Sequence, residues 1–296
     1  MARTLLLAIS LAAAMIGTDA MAADTDWAKV DQILGRRGAE QPGGIHRYGL
    51  PRSDLKVTLD GVTLKPSFAL GGWAAFEPMG SSAMLMGDLV LTDTEINPVM
   101  KKLLDDGLEV TAIHNHLLRT SVPVYYMHVG GHGDPAKLAE SLRAALSLSG
   151  TPLAQTPPAT PPPAVDLDTA ALEKTLGAKG NANGGVYQFS IPRAEAIKEG
   201  GMDVPPAMGT GTAMNFQPTG GGKAAITGDF VLLGTEVGPV LKTLRQRGIE
   251  VTALHSHMVD ETPRLYFMHF WANDDAQKLA EGLRAAHDKA NLKRTS

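Results

Sequence analysis

The sequence predicts an α+β fold built twice: a tandem duplication of a domain with a mainly antiparallel sheet, two helices and a histidine-bearing β-hairpin in each copy. Three observations predict it. The segment Glu109-Val-Thr-Ala-Ile-His-Asn-His116, continuing into Val122-Pro-Val-Tyr-Tyr-Met-His128, recurs as Glu250-Val-Thr-Ala-Leu-His-Ser-His257 and Arg264-Leu-Tyr-Phe-Met-His269, each matched position 141 residues further on. Within each copy the apolar spacing switches between the period of two expected of strands and the three-to-four spacing of helices. Between the copies, Ser147 to Val165 holds six prolines with no charge and no periodicity, which reads as a linker.

Taken in order, residues 1–22 have the pattern of a secretory signal peptide: Arg3, an apolar run from Leu5 to Ile16 too short to span a bilayer, and Ala20-Met-Ala22 as a cleavage site. A first repeat is expected over 23–146, the linker over 147–165 and a second repeat over 166–296. The first repeat opens with a short helical pattern from Asp26 to Leu34. A strand follows at Gly43 to Arg52, bounded by glycine and proline and matched by Gly184 to Arg193. Lys56 to Leu64 reads as a hairpin about Asp60-Gly61, which the second copy is expected to replace with the less regular stretch Ala196 to Met208. Strands are expected at Gly71–Phe76 and Ala83–Leu91, the latter matched by Ala224–Leu232. The period then changes: Ile96, Val99, Met100, Leu103 and Leu104 share a helical face that Gly107 ends, and Val237, Val240, Leu241, Leu244 and Gly248 repeat it. After the histidine hairpin, Asp134-Pro135 marks the start of a closing helix with Leu138, Leu142, Ala145 and Leu146 on its apolar face. Its second copy carries Leu279, Leu283 and Ala286.

Composition narrows the function classes. A chain of 296 residues with 44% hydrophobic and 20% charged residues has the material for two globular cores of ~130 residues each. A net charge of −4 gives no basic footprint for nucleic acid or an anionic membrane. The absence of cysteine removes disulfides, thiol nucleophiles and lipid attachment through sulfur. With the leader, these features point to a periplasmic or secreted protein.

The concentrated chemistry is the histidines. Strand residues i and i+2 share a face, so His114 and His116 project together, as do His255 and His257. The series Leu108, Val110 and Ala112 would lie on that same face as a buried run, with Glu109, Thr111 and Asn115 on the wetter one. If paired positions on the two hairpin strands sum to an even number near 240, His128 lies opposite Ala112 and joins the pair. A slip of one residue sends it to the other side. Three converging imidazoles suit a transition-metal ion, zinc first, with copper, iron and manganese also compatible. Glu95 and Glu236, each three residues before a proline, are candidate fourth ligands or general bases if those prolines open the following helix. Against this, an acid at a helix start is favoured by the dipole without any metal. A lone histidine on an apolar face is more often a hydrogen-bonded core residue. What favours a site is that all three histidines persist in both copies while the loop between them diverges, Arg119-Thr-Ser-Val122 against Asp260-Glu-Thr-Pro263. His46 and His132 become Tyr187 and Asn273 and fall outside the shared set. His287 is expected at the surface or core edge, and Tyr126, Met127, Phe267 and Met268 as packing.

On Gly228-Asp-Phe-Val-Leu-Leu233, the Glu250–Met258 segment, Pro263-Arg-Leu-Tyr-Phe-Met-His-Phe-Trp-Ala272 and Lys278-Leu-Ala-Glu-Gly-Leu-Arg284, the chain resembles the LppY/LpqO family of exported bacterial proteins, and more loosely over its first half. The resemblance implies export and supplies no reaction. Some relatives look like lipoproteins, for which this chain has no cysteine. The leading expectation is an exported two-domain protein with a three-histidine metal site in each repeat, its partner a metal ion with or without a small-molecule substrate. The alternatives are a metal-dependent hydrolase or lyase with Glu95 or Glu236 as base, and a non-catalytic cell-envelope interaction module.

Overall fold

Asp26 accepts a hydrogen bond from the Lys29 amide at 3.2 Å and so caps α1 (Trp27–Leu34), which Gly35 ends in the left-handed region at φ 67°. This helix opens the computed structural model, which describes residues 25–154 and 164–293. The leader expected over 1–22 and residues 155–163 of the expected linker lie outside the described residues.

The first repeat continues with β1 (Ala39–Gln41), β2 (Ile45–Pro51), β3 (Thr58–Leu59), β4 (Val62–Thr63), the short α2 (Pro66–Ala69), β5 (Gly71–Met79), β6 (Ser82–Thr92), α3 (Asp93–Asp105), β7 (Glu109–His114), β8 (Val124–Gly133) and α4 (Pro135–Leu146). The second follows with α5 (Thr169–Leu176), β9 (Gly180–Asn183), β10 (Val186–Pro192), β11 (Lys198–Glu199), β12 (Met202–Asp203), β13 (Gly211–Gly220), β14 (Lys223–Leu232), α6 (Gly234–Gln246), β15 (Glu250–His255), β16 (Glu261–Thr262), β17 (Tyr266–Asp275) and α7 (Ala276–His287). Each repeat forms a six-stranded antiparallel sheet, ordered β1-β2-β5-β6-β8-β7 and β9-β10-β13-β14-β17-β15. The stretch expected to be irregular in the second copy is a hairpin after all. β11 pairs with β12 across Gly200 and Gly201, both at positive φ, and β16 adds a third strand. A Gly-Gly turn permits this as Asp-Gly does in the first copy.

Each sheet is buried on both faces, which explains why its central strands read as almost continuous apolar runs. On β6, Leu85, Leu89 and Leu91 pack on the helices with Leu103 and Leu142, whereas Met84 and Val90 point the other way into clusters shared with the second repeat. On β14, Ile226, Phe230 and Leu232 join the helix-side core with Leu244 and Leu283, and Ala225 and Val231 face the first repeat. The molecule is therefore layered helices, sheet, sheet, helices. Polar contacts tie the two sheets together. Gln217 accepts from the Lys65 amide (2.9 Å) and donates to the Thr63 carbonyl (2.8 Å), the Trp271 indole N–H reaches Asp60 (3.0 Å), and Arg119 clasps Glu250 with two bonds at 2.9 and 2.8 Å.

Two expectations need correction. The first described part of the proline-rich segment is packed: Thr151 is buried, Leu153 rests on the first core, and the Gly150 amide donates to Glu95 at 2.7 Å. Asn291 does the same to Glu236 at 2.7 Å, so both repeats close with the same contact. His287 is buried at 3% exposure, not at the surface.

Candidate metal centre

The hairpin register is the even one. Ala112 faces His128 and His114 faces Tyr126, and in the second copy Ala253 faces His269. The pairing shifts by one residue between Val110 and Ala112, and again between Val251 and Ala253. This bulge corrects the expected single buried face. Val110 pairs with Val129 and packs on the helices, while Ala112 and His114 turn to the opposite side, toward the other sheet. A bulge re-aims the side chains beyond it. Here it carries the imidazoles from the helix core to the space between the sheets.

All six predicted histidines meet there, in one place. The ligand nitrogens of His114, His116 and His128 lie within 4.8 Å of one another, and so do those of His255, His257 and His269 with His114 of the first repeat. Across the repeats the rings stack in matched pairs: His114 on His255 at 3.6 Å between centroids, His116 on His269 at 3.8 Å, and His128 on His257 at 3.7 Å. Tyr126 covers His116 at 3.3 Å and its counterpart Phe267 covers His257 at 3.5 Å. These two rings, expected only to pack, thus wall the centre, and the Tyr126 hydroxyl is tied to the Ala69 carbonyl.

The centre is largely buried, with His128, His257 and His269 at 7%, 7% and 2% exposure and His114, His116 and His255 half-buried, and it is electrically unusual. Burial, then repulsion among the rings, holds His114, His116, His257 and His269 far below the ordinary imidazole range. The same burial brings His128 down to about 3 and His255 to about 4. At neutral pH the rings are therefore neutral, each with a lone pair to offer. The His269 Nδ1–H donates to the Gly228 carbonyl at 3.0 Å, which leaves Nε2 as its lone-pair nitrogen. Nε2 of His128, His255, His257 and His269 and Nδ1 of His114 are buried with no hydrogen-bond partner. Buried polar atoms are satisfied in more than about nine cases in ten, so five orphans on six adjoining rings require an explanation.

Two carboxylates that sequence reading passed over complete the surroundings. Asp88 faces His128 across β6 and β8, and Asp229 faces His269 across β14 and β17. The Asp88 Oδ1 atom, also without a partner, lies 3.7 Å from His128 Nε2. That is too long for a hydrogen bond but is the spacing of two donors each ~2.1 Å from a shared ion. Burial, reinforced by Asp229 and opposed by Arg47, pushes Asp88 up to about 8, and burial pushes Asp229 up to about 7 against a bond from the Ala213 amide. The available signal was Gly87-Asp88 recurring as Gly228-Asp229 in otherwise apolar strands. The glycine has its own reason. A Cβ on Gly228 would sit 1.9 Å from the Ala213 carbonyl oxygen, so Gly228→Ala is expected to cost at least the ~1–3 kcal/mol of an overpacked core, read as a lowered midpoint in urea.

Glu95 and Glu236 are not part of this centre. α3 starts directly after β6 and α6 two residues after the last residue of β14, so Glu95 and Glu236 are the third residues of their helices, and Pro98 and Pro239 lie inside them rather than opening them. The Glu95 carboxylate accepts from Arg52 at 2.7 and 3.1 Å, from the Thr92 amide at 2.8 Å and from Gly150. Glu236 does likewise with Arg193, Leu233 and Asn291. Burial raises both groups, but these bonds and the guanidinium charges outweigh it and hold both below the usual carboxylate range. A carboxylate with its lone pairs committed in this way is neither a free ligand nor a poised base.

No curated protein matches the chain. Among solved structures it is similar to a trimeric bacterial microcompartment shell protein, PduB (14% identity, TM-score 0.23, 88% of this chain and 97% of that one). It is also similar to EtuB from Clostridium kluyveri (10% identity, TM-score 0.21, 86% and 89%). At such scores neither likeness carries an argument. The family described as Domain of Unknown Function (DUF1259) matches at residues 28–148 and again at 170–289, and with both repeats matched the chain belongs to that family.

Proposed function

We propose that the protein binds transition metal through a single centre shared by its two repeats, with His114, His116, His128, His255, His257 and His269 as the donor set and Asp88 and Asp229 beside it. One observation carries this reading: two groups of histidines, each with its ligand nitrogens within 4.8 Å of one another, adjoin between the sheets, and five of their nitrogens are buried and unpartnered. Neutral histidines so placed are costly as a structural core and apt as ligands. The separate site per repeat expected from sequence becomes two adjoining triplets that meet at His114. The leader-like residues 1–22 and the LppY/LpqO resemblance support export, so the centre would work in the periplasm or outside the cell, with the ion as its partner. Among the described residues no helix is long and apolar enough to cross a membrane.

Protein purified without a polyhistidine tag and dialysed against zinc or copper should carry one to two ions per chain by elemental analysis. His114→Ala with His255→Ala should carry less than about a fifth of that. Equal metal in both proteins, or none in the wild type, rejects the reading. A hydrolytic reading retains one supporting observation, since Asp88, raised to about 8 beside a metal site, has the affinity of a general base near neutrality. Asp88→Asn would then lower hydrolysis of an activated ester by the metal-loaded protein far more than it lowers metal content, both measured on the same sample.

A further inference from the structure

The centre is matched across the repeats in its histidines but not in its flanks. A narrow cleft reaches it on the side where His128 and His257 stack, lined by those two rings together with Met86, Met208, Met258 and Trp73. Both histidines are 7% exposed, and each has its Nε2 atom unpartnered. The apolar cluster around this cleft joins β5 and β6 to β14 and β17 and holds five methionines: Met84, Met86, Met202, Met208 and Met258. The cluster at the matching place on the opposite side holds none. Where this cleft has Met86, Met208 and Met258, the matching positions on the opposite flank are Thr227, Phe68 and Leu117. The last two are buried in the methionine-free cluster, and Thr227, also buried, pairs with Trp271 across β14 and β17.

Packing alone gives no reason for this sorting, because both flanks seal the same sheet-on-sheet joint and Leu or Phe fills such volume as well. Ligand chemistry does give one. Thioether sulfur is a soft donor that favours Cu(I) over the borderline Zn(II), whereas imidazole serves both. Given the metal centre proposed above, we propose that the methionine-lined mouth is a second donor set that admits and holds a soft monovalent cation, Cu(I), between His128, His257 and the thioethers of Met86, Met208 and Met258.

The test titrates the metal-free full chain with Cu(I) against bicinchoninate and, separately, with Zn(II) against a chromophoric zinc chelator. Met86→Leu, Met208→Leu and Met258→Leu combined should weaken Cu(I) binding at least tenfold and leave Zn(II) within twofold. X-ray absorption of Cu(I)-loaded wild type should show sulfur in the first shell, a readout that does not need the variant to fold. Unchanged Cu(I) affinity in the variant, an equal loss for both ions, or a first shell of nitrogen and oxygen alone each overturns the proposal. So does a wild type that takes Zn(II) but no Cu(I), and that outcome leaves the histidine centre standing. A wild type that binds neither ion removes the centre itself.

Discussion

Arg193→Met should destabilise the protein by about 3–5 kcal/mol, the cost of removing one partner from a buried ion pair. The Arg193 side chain is 1% exposed. It donates to Glu236 at 2.7 and 3.1 Å, to the Val231 carbonyl at 2.7 Å, and to Glu195 at 3.0 Å. Met fills similar volume, so the loss is electrostatic. Glu236 keeps its backbone donors but loses its countercharge, and the Val231 carbonyl is left bare in the sheet interior. For a chain this long each kcal/mol moves the melting temperature by roughly 2–4 °C, so a fall of roughly 10 °C is expected in calorimetry. Adding Glu236→Leu should restore part of it, because the orphaned charge is then gone. A fall under about 1 kcal/mol would mean that the pair is not what anchors α6 to β10 and β14. The same experiment separates the two roles once open for Glu236. Metal content below the melting temperature should be untouched by Arg193→Met, as a helix cap requires and a ligand would not allow.

The sequence disclosed the duplication, the strand and helix order and the six histidines because each rests on local pattern. Alternation marks β6 and β14, the three-to-four spacing marks α3 and α6, and identical spacing marks the imidazoles. It disclosed less wherever the outcome depends on what lies across a gap. The pattern predicts a three-histidine site in each repeat and leaves open whether the two halves share one cleft. Nothing local says that the outer face of one sheet is covered by the other, although Met84, Val90 and Ala225 on the second face of their strands were a hint that those faces are dry. Once the sheets are stacked, two triplets become one centre, and Asp88 and Asp229 pass from apparent strand polars to buried carboxylates. The bulges at Thr111 and Thr252 were invisible for a different reason. The period-two pattern survives if Val110 and His114 are placed on one face, and only the register with β8 shows that one residue is extra. Glu95 and Glu236 failed as ligands because the helix begins earlier than its proline suggests. The dipole and a buried arginine compete for the carboxylate, and in the fold they win.

Metal-free protein should lose stability steeply as the pH falls below about 6.5. The six histidines carry the sign. Each has a folded pKa far beneath its unfolded value of 6.5, down to about 3 for His128 and about 4 for His255, burial being the main cause. Between those values the unfolded chain binds protons that the folded chain refuses, so stability is present above the unfolded pKa and is lost on the way down. Asp88 and Asp229 act oppositely. Raised from 3.8 to about 8 and about 7, they hold protons when folded that the unfolded chain has released, so between roughly pH 4 and 7 they favour the folded state more as the pH falls. Six groups oppose two, and each contributes at most about 1.4 kcal/mol per pH unit. The histidines therefore prevail by several kcal/mol across the interval from pH 6.5 to 5. Arg47, the cation acting on Asp88, stays charged throughout and alters neither sign. The expected result is a urea midpoint near neutral pH that collapses by pH 5, together with exposure of the joint between the sheets. Substituting His114 and His255 by Gln should flatten the curve, since two of the opposed protonations disappear. Stability that stays level from pH 7 to 5 would mean that the rings are hydrated and chargeable in the folded state, and a buried shared centre would then be untenable.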